Sequence, residues 1–214
     1  MLSPTRDRLF LRSQSGCWEA HLHTAFLDRQ EVRVDKQLFA AKCQEGCRNY
    51  AAKHTCPPYS PSFEELAPSE IWLLVLALRM PLNQLPRFPN PYHQVRMANS
   101  MMRSRLGRIL DSLRASIPSG YPLGSGSCRR CRRCARQDGR PCVRPDLLTY
   151  SLEAVGVDCG QLVRRCFDID LQWYRSKTLP QHSMVVGGVL TSSLILVDTA
   201  NLLLELERST RLSR

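Results

Sequence analysis

Seven of the ten cysteines in this chain fall into two groups about 70 residues apart, and any fold must accommodate both. The second group is the tighter. Cys128, Cys131 and Cys134 form C-x-x-C-x-x-C, with Cys142 following and Pro145 just beyond. Two intervening residues let consecutive thiolates wrap one centre from a compact loop. Iron–sulfur ferredoxins use a run of this kind, C-x₂-C-x₂-C-x₃-C-P, although the last gap here is longer. Zinc also accepts four thiolates, but its sites usually arrive as two separated C-x₂₋₄-C pairs. The spacing therefore favours an iron–sulfur centre of the 4Fe-4S type, with zinc as the alternative.

The first group, Cys43, Cys47 and Cys56, is C-x₃-C-x₈-C and supplies three thiolates, one short of a closed site. Its fourth ligand is open between His54, a cysteine of the other group, one of Cys17, Cys159 or Cys166, and an exchangeable position for solvent or substrate. Two-cluster ferredoxins pass the Cys of their Cys-Pro pair to the other cluster, and Cys56-Pro57 is a pair of that type. Cys17, Cys159 and Cys166 lie outside any ligand spacing and read as buried structural residues. His21-x-His23 places two imidazoles on one strand face without a partner motif.

A disulfide framework belongs to short secreted chains. This chain has 214 residues and opens on MLSPTRDRLFLRSQSG, which carries scattered arginines in place of a signal peptide's apolar core. A reducing, cytoplasmic setting is expected. The purest apolar run, Ile71 to Leu78, is strand length and far short of the ~20 residues that a bilayer needs.

Around the cysteines the coarse elements are legible. Ile71 to Leu78 reads as a strand buried on both faces, ended by Pro81. Val95, Ala98, Met102, Leu106, Ile109, Leu113 and Ile117 form the apolar stripe of a helix over about 92–117. Its arginines, Arg96, Arg103, Arg105, Arg108 and Arg114, read as a solvated face, and Met101-Met102 as core filler. Ser62 to Glu65 has capping-box spacing and predicts a short helix. Gly120 to Ser127 reads as a flexible connection. Short helices are expected around 151–155 and 159–167, a strand pair near 184–190 and 193–197, and a last helix over about 199–208. The sum is an α/β or α+β single domain, a small sheet flanked by helices and carrying two cysteine-rich metal-binding loops. Residues 1–38 form a weakly patterned N-terminal segment, 39–200 the cysteine-rich domain, and 201–214 the end of the last helix with a tail.

The formal net charge of +11 favours anionic partners. Between Cys128 and Arg144 stand Arg129, Arg130, Arg132, Arg133, Arg136, Arg140 and Arg144 against the single acid Asp138. Such a loop offsets the negative charge of a thiolate centre, or docks an acidic redox partner. Nucleic acid is the less favoured partner, because the stretch lacks aromatic residues for base stacking. Glu153, near the second group, reads as a proton donor or, preferably, as a helix-surface residue or one that supports the centre. No phosphate-binding Gly-Lys loop, dinucleotide fingerprint or nucleophile–base pair is present.

Three blocks carry a resemblance: KCQEGCRNYAAKHTCPPYSP (Lys42–Pro61), LGSGSCRRCRRCARQDGRPCVRP (Leu123–Pro145) and SLEAVGVD (Ser151–Asp158). In this order they resemble the DUF2284 family of predicted metal-binding proteins, over roughly residues 39–200. The resemblance implies Cys43, Cys47, Cys56, Cys128, Cys131, Cys134 and Cys142 as the ligand set, and does not support Cys17, Cys159 or Cys166. Val185-Val186-Gly187-Gly188 replaces the aromatic pair expected there, and the arginine-rich loop is particular to this chain. The expected activity is electron transfer or redox support of a partner enzyme. Two alternatives remain: a zinc-stabilised basic binding module, and an enzyme whose open site is the first cysteine group.

Overall fold

The computed structural model describes residues 3–13, 16–117 and 119–194. Strands β1 (Thr5–Ser13) and β2 (Gly16–Asp28) form a hairpin, and β2 continues antiparallel onto β3 (Trp72–Pro81). Helix α1 (Lys36–Gln44) and the first cysteine group lie in the β2–β3 connection. Helix α2 (Tyr92–Ser116) then leads to the short β4 (Tyr121–Leu123). The second cysteine group and α3 (Cys159–Phe167) precede β5 (His182–Thr191). The sheet order is β1-β2-β3-β5-β4, with every neighbouring pair antiparallel. Thus β3 and β4 are parallel, joined by α2, and β5 inserts between them as in a split β-α-β unit. The result is a single α+β domain.

Period-two alternation explains the core. On β3, Leu74, Leu76, Leu78 and Met80 face α2, whose Ala98, Met102, Leu106, Ile109 and Leu113 cover them. Leu73, Val75 and Ala77 face the other way, onto Phe63, Leu152, Val155, Leu162 and Val163. A strand covered on both faces has no polar positions to alternate. The apolar run therefore arises here in an antiparallel sheet, and each fully buried leucine contributes about 2 kcal/mol.

Gly187 and Gly188 let β5 fit between its neighbours. A Cβ on Gly188 would stand 2.4 Å from the Leu74 carbonyl oxygen, and one on Gly187 2.7 Å from that of Leu123. No side chain fits either place.

Several local expectations change. Ser62 to Glu65 forms no helix, although Glu65 accepts the Ser62 N–H at 2.6 Å as a capping box would. Pro68 follows at once and disfavours helical backbone at Ala67, so the turn stops. The Gly120–Ser127 connection is not a free linker, because β4 lies in it and Leu123 is fully buried. Arg96 and Arg108 are exposed, but Arg105 is buried and donates to the Arg12 carbonyl at 2.7 Å. Arg114 spans to the Asp146 and Leu148 carbonyls and the Thr149 hydroxyl. The arginine face of α2 is thus partly structural.

The weakly patterned first segment supplies β1 and β2. The 159–167 helix forms as expected, with Asp158 capping Gln161 N–H at 3.0 Å. The 151–155 turn is a 3₁₀ helix over Glu153–Val155. The expected strand near 193–197 falls mostly, and the helix over 199–208 wholly, outside the described residues. Among those described, no helix is long and apolar enough to cross a membrane.

Candidate metal centre

The first group is built by consecutive turns running off the end of α1. Asp35 caps that helix by accepting the Leu38 N–H at 2.8 Å, and Cys43 sits in its last turn. The Cys47 N–H donates back to the Cys43 carbonyl at 3.0 Å, and the Cys56 N–H to that of Lys53 at 3.1 Å. Cys47 is exposed, Cys43 half-buried and Cys56 buried. The three are near neighbours. Burial pushes the Cys43 thiol up, and negative charge on Cys47 and Glu153 would add to this. Burial, then Cys47, pushes Cys56 up to about 11, while Lys53 and Thr55 pull the other way. Lys36, held by Ser60 Oγ, the Pro61 carbonyl and the Ala154 carbonyl, lowers Cys43 in turn.

The second group is more enclosed. Cys128, Cys131, Cys134 and Cys142 are all half-buried and all line one small pocket. The long gap before Cys142 has a structural purpose. Ala135–Asp138 makes a 3₁₀ turn, and Gly139, at φ 69°, reverses it. The Arg140 N–H then donates back to the Ala135 carbonyl at 3.1 Å, and the chain returns Cys142 to the pocket. A shorter gap would leave no room for this reversal.

The two groups share a wall. Lys53, His54 and Thr55 of the first loop line the pocket of the second. Lys53 Nζ donates to the Cys128 carbonyl at 2.8 Å, Thr55 Oγ1 accepts the Cys128 N–H at 3.3 Å, and His54 Nε2 bonds the Arg140 carbonyl at 3.0 Å. One ring nitrogen of His54 is therefore engaged beside the second group, while its Nδ1 has no such bond among the described residues.

Among the described residues, no group of three or more His, Cys, Asp or Glu is placed so as to hold a metal ion. The four thiols of the second group line one space without converging on a point. Their type, number and shared pocket fit a thiolate-bound centre, and three neighbouring thiols fit an incomplete one. Binding would require these thiols to lose their protons.

A model of the family described as "predicted metal-binding protein (DUF2284)" matches residues 25–191. The chain belongs to the DUF2284 family. No curated protein and no solved structure matches it. The DUF2284 match begins in β2 and ends at the last residue of β5, so it includes all seven candidate cysteines.

The remaining sequence candidates separate clearly. Cys159 is buried and its thiol hydrogen-bonds Glu153, whereas Cys17 is exposed and is not the buried residue expected. Cys166 is half-buried. Glu153 sits beside Cys43 of the first group, and its Oε2 is buried without a hydrogen-bond partner. Arg103 comes to the same place: Glu153 and Cys47 favour its charge, while burial and Arg129 oppose it. Nothing in the helical pattern of α2 set Arg103 apart from its neighbours. The exposed/half-buried split appears only once the loops are folded over the helix.

Proposed function

We propose that this DUF2284 protein carries a 4Fe-4S-type iron–sulfur centre on Cys128, Cys131, Cys134 and Cys142. It exchanges electrons with a partner protein. The observation that carries the reading is the pocket to which all four cysteines contribute. Such a centre supplies one-electron chemistry at a potential set by charge, hydrogen bonding and solvent exposure.

The chain's own residues would set those terms. Lys53 and Thr55 fix the Cys128 backbone from the neighbouring loop. Arg130 lines the same pocket and is held through both Asp111 oxygens, so a fixed positive charge lies beside Cys128. Arg133 and Arg140 both pair with Asp138. Arg132 and Arg144 are exposed and form no ion pair among the described residues, with exposed Val143 between them in sequence. This surface suits an acidic partner: charge steers the encounter, and a small apolar contact anchors it. It suits nucleic acid less, because neighbouring Tyr59 is already covered by Arg136 at 3.7 Å.

The first group supports a second centre of a more open kind. Cys47 is exposed, and an unpartnered carboxylate oxygen and the half-buried Arg103 stand close by. An exchangeable position there is where a substrate would meet metal.

The test is purification without oxygen, followed by an absorption spectrum and assays for iron, zinc and acid-labile sulfide. Iron and sulfide in near-equal amounts, with a broad band near ~400 nm, support the reading. About four irons per chain would fill the second group alone, and about eight would fill both. A colourless protein holding zinc would overturn electron transfer in favour of a zinc-stabilised basic module.

A further inference from the structure

A second cavity, of about 320 Å³, lies between α2 and the chain from Gly124 to Arg130. That volume falls within the range of small-molecule sites, ~300–1,000 Å³. Four arginines line it (Arg103, Arg108, Arg129 and Arg130), against one acid, Asp111. Asp111 is already gripped by Arg130. The wall therefore carries a surplus of positive charge that its own acid does not offset.

Arg103 is the least satisfied of these cations. Its Nε is buried with no hydrogen-bond partner; burial, then Arg129, works against its charge, and Glu153 and Cys47 offset this only in part. A desolvated guanidinium without a full set of acceptors is costly to keep, and a bound anion would relieve that cost. The loop is shaped to allow this. Gly126 adopts φ +69°, and a Cβ there would stand 2.9 Å from the central guanidinium carbon of Arg103. Only glycine brings the loop backbone so close. Buried Leu106 and Leu110 supply an apolar part of the same lining.

We propose that this cavity binds a small organic anion. Arg103 and Arg129 hold its carboxylate or phosphate, and Leu106 and Leu110 receive its apolar body. Cys128 lines both this cavity and the cysteine pocket, so the ligand lies against the wall of the candidate centre. The proposal stands whichever metal that centre holds.

The experiment is a ligand-observed NMR titration of the full chain, purified without oxygen, with four probes: phenyl phosphate, benzoate, inorganic phosphate and benzamide. Metal content is assayed separately, so loss of the centre and loss of the anion site read out independently. At least one aromatic acid should bind, and the stronger of the two identifies the head group. Benzamide, and inorganic phosphate if phenyl phosphate binds, should be about tenfold weaker or worse. Arg103→Gln should weaken the acid about tenfold, as expected for loss of a charge-assisted hydrogen bond. Arg164→Gln, at an exposed position of α3, should leave it unchanged. If Arg103→Gln does not fold, the exposed Arg129→Gln carries the same comparison. The proposal is overturned if neither acid binds, or if the acid that binds is matched by its own control: benzamide for benzoate, inorganic phosphate for phenyl phosphate. It is equally overturned if the arginine variant that folds leaves affinity untouched.

Discussion

Lys53 donates its ammonium to the carbonyl oxygen of Cys128, 75 residues further along the chain, at 2.8 Å. One side chain thereby fastens the loop of the first cysteine group to the first cysteine of the second. Charge-assisted bonds of this kind contribute about 1.5–3 kcal/mol. Lys53→Met should lower stability by about 1–2 kcal/mol in urea denaturation. It should also speed metal loss to a chelator, because Cys128 is no longer held. Unchanged chelation kinetics would show that the two groups are independent.

The cysteines divide into testable classes. Cys131→Ser and Cys134→Ser should each abolish or severely reduce the metal bound by the second group, since a closed thiolate site needs all four donors. Exposed Cys17→Ser should leave metal content at the wild-type value. Metal assay of the three purified variants checks this, and metal loss in Cys17→Ser would refute the assignment.

Gly188→Ala places a methyl group 2.4 Å from the Leu74 carbonyl, inside the β3–β5 ladder. Backbone cannot move aside as a flexible side chain would. A loss of about 3 kcal/mol or more is expected, enough to leave much of a marginal domain unfolded. Circular dichroism during thermal melting measures it.

His23 is 4 % exposed, and burial first, then the charges of Arg6 and Arg79, lowers its pKa to about 4. The fold thus favours the neutral ring. Above the ordinary value of 6.5 both states are neutral, and His23 contributes its full share of stability. As pH falls from about 6.5 to about 4 the unfolded chain takes up the proton first, and that share is lost. The amount is of the order of 3 kcal/mol. His23→Phe should flatten stability against pH across this window, as measured by urea denaturation at several pH values.

Much of the fold was legible because two periodicities are robust. The stripe from Val95 to Ile117 found α2 almost to the residue, and the run from Ile71 to Leu78 found β3. Strands β1 and β2 escaped notice for opposite reasons. Leu9 and Leu11 are buried while Arg8 and Phe10 are exposed, so β1 shows its alternation over only a few residues. The buried line of β2 includes histidine and threonine, which carry little apolar signal.

The candidate site was legible as chemistry and illegible as geometry. Cysteine spacing along a single loop is a local property, so the sequence by itself determined which thiols travel together and what class of ligand suits them. It also determined the central helix and strand, since an element's buried face must repeat with that element's period. The tertiary structure alone decided that His54 lines the pocket of the second group, that Glu153 and Arg103 meet beside the first, and that Cys128 lines two cavities. Those relations join residues tens of positions apart. Contacts of that range are fixed by how the sheet and α2 bring the loops together, and no local pattern records them.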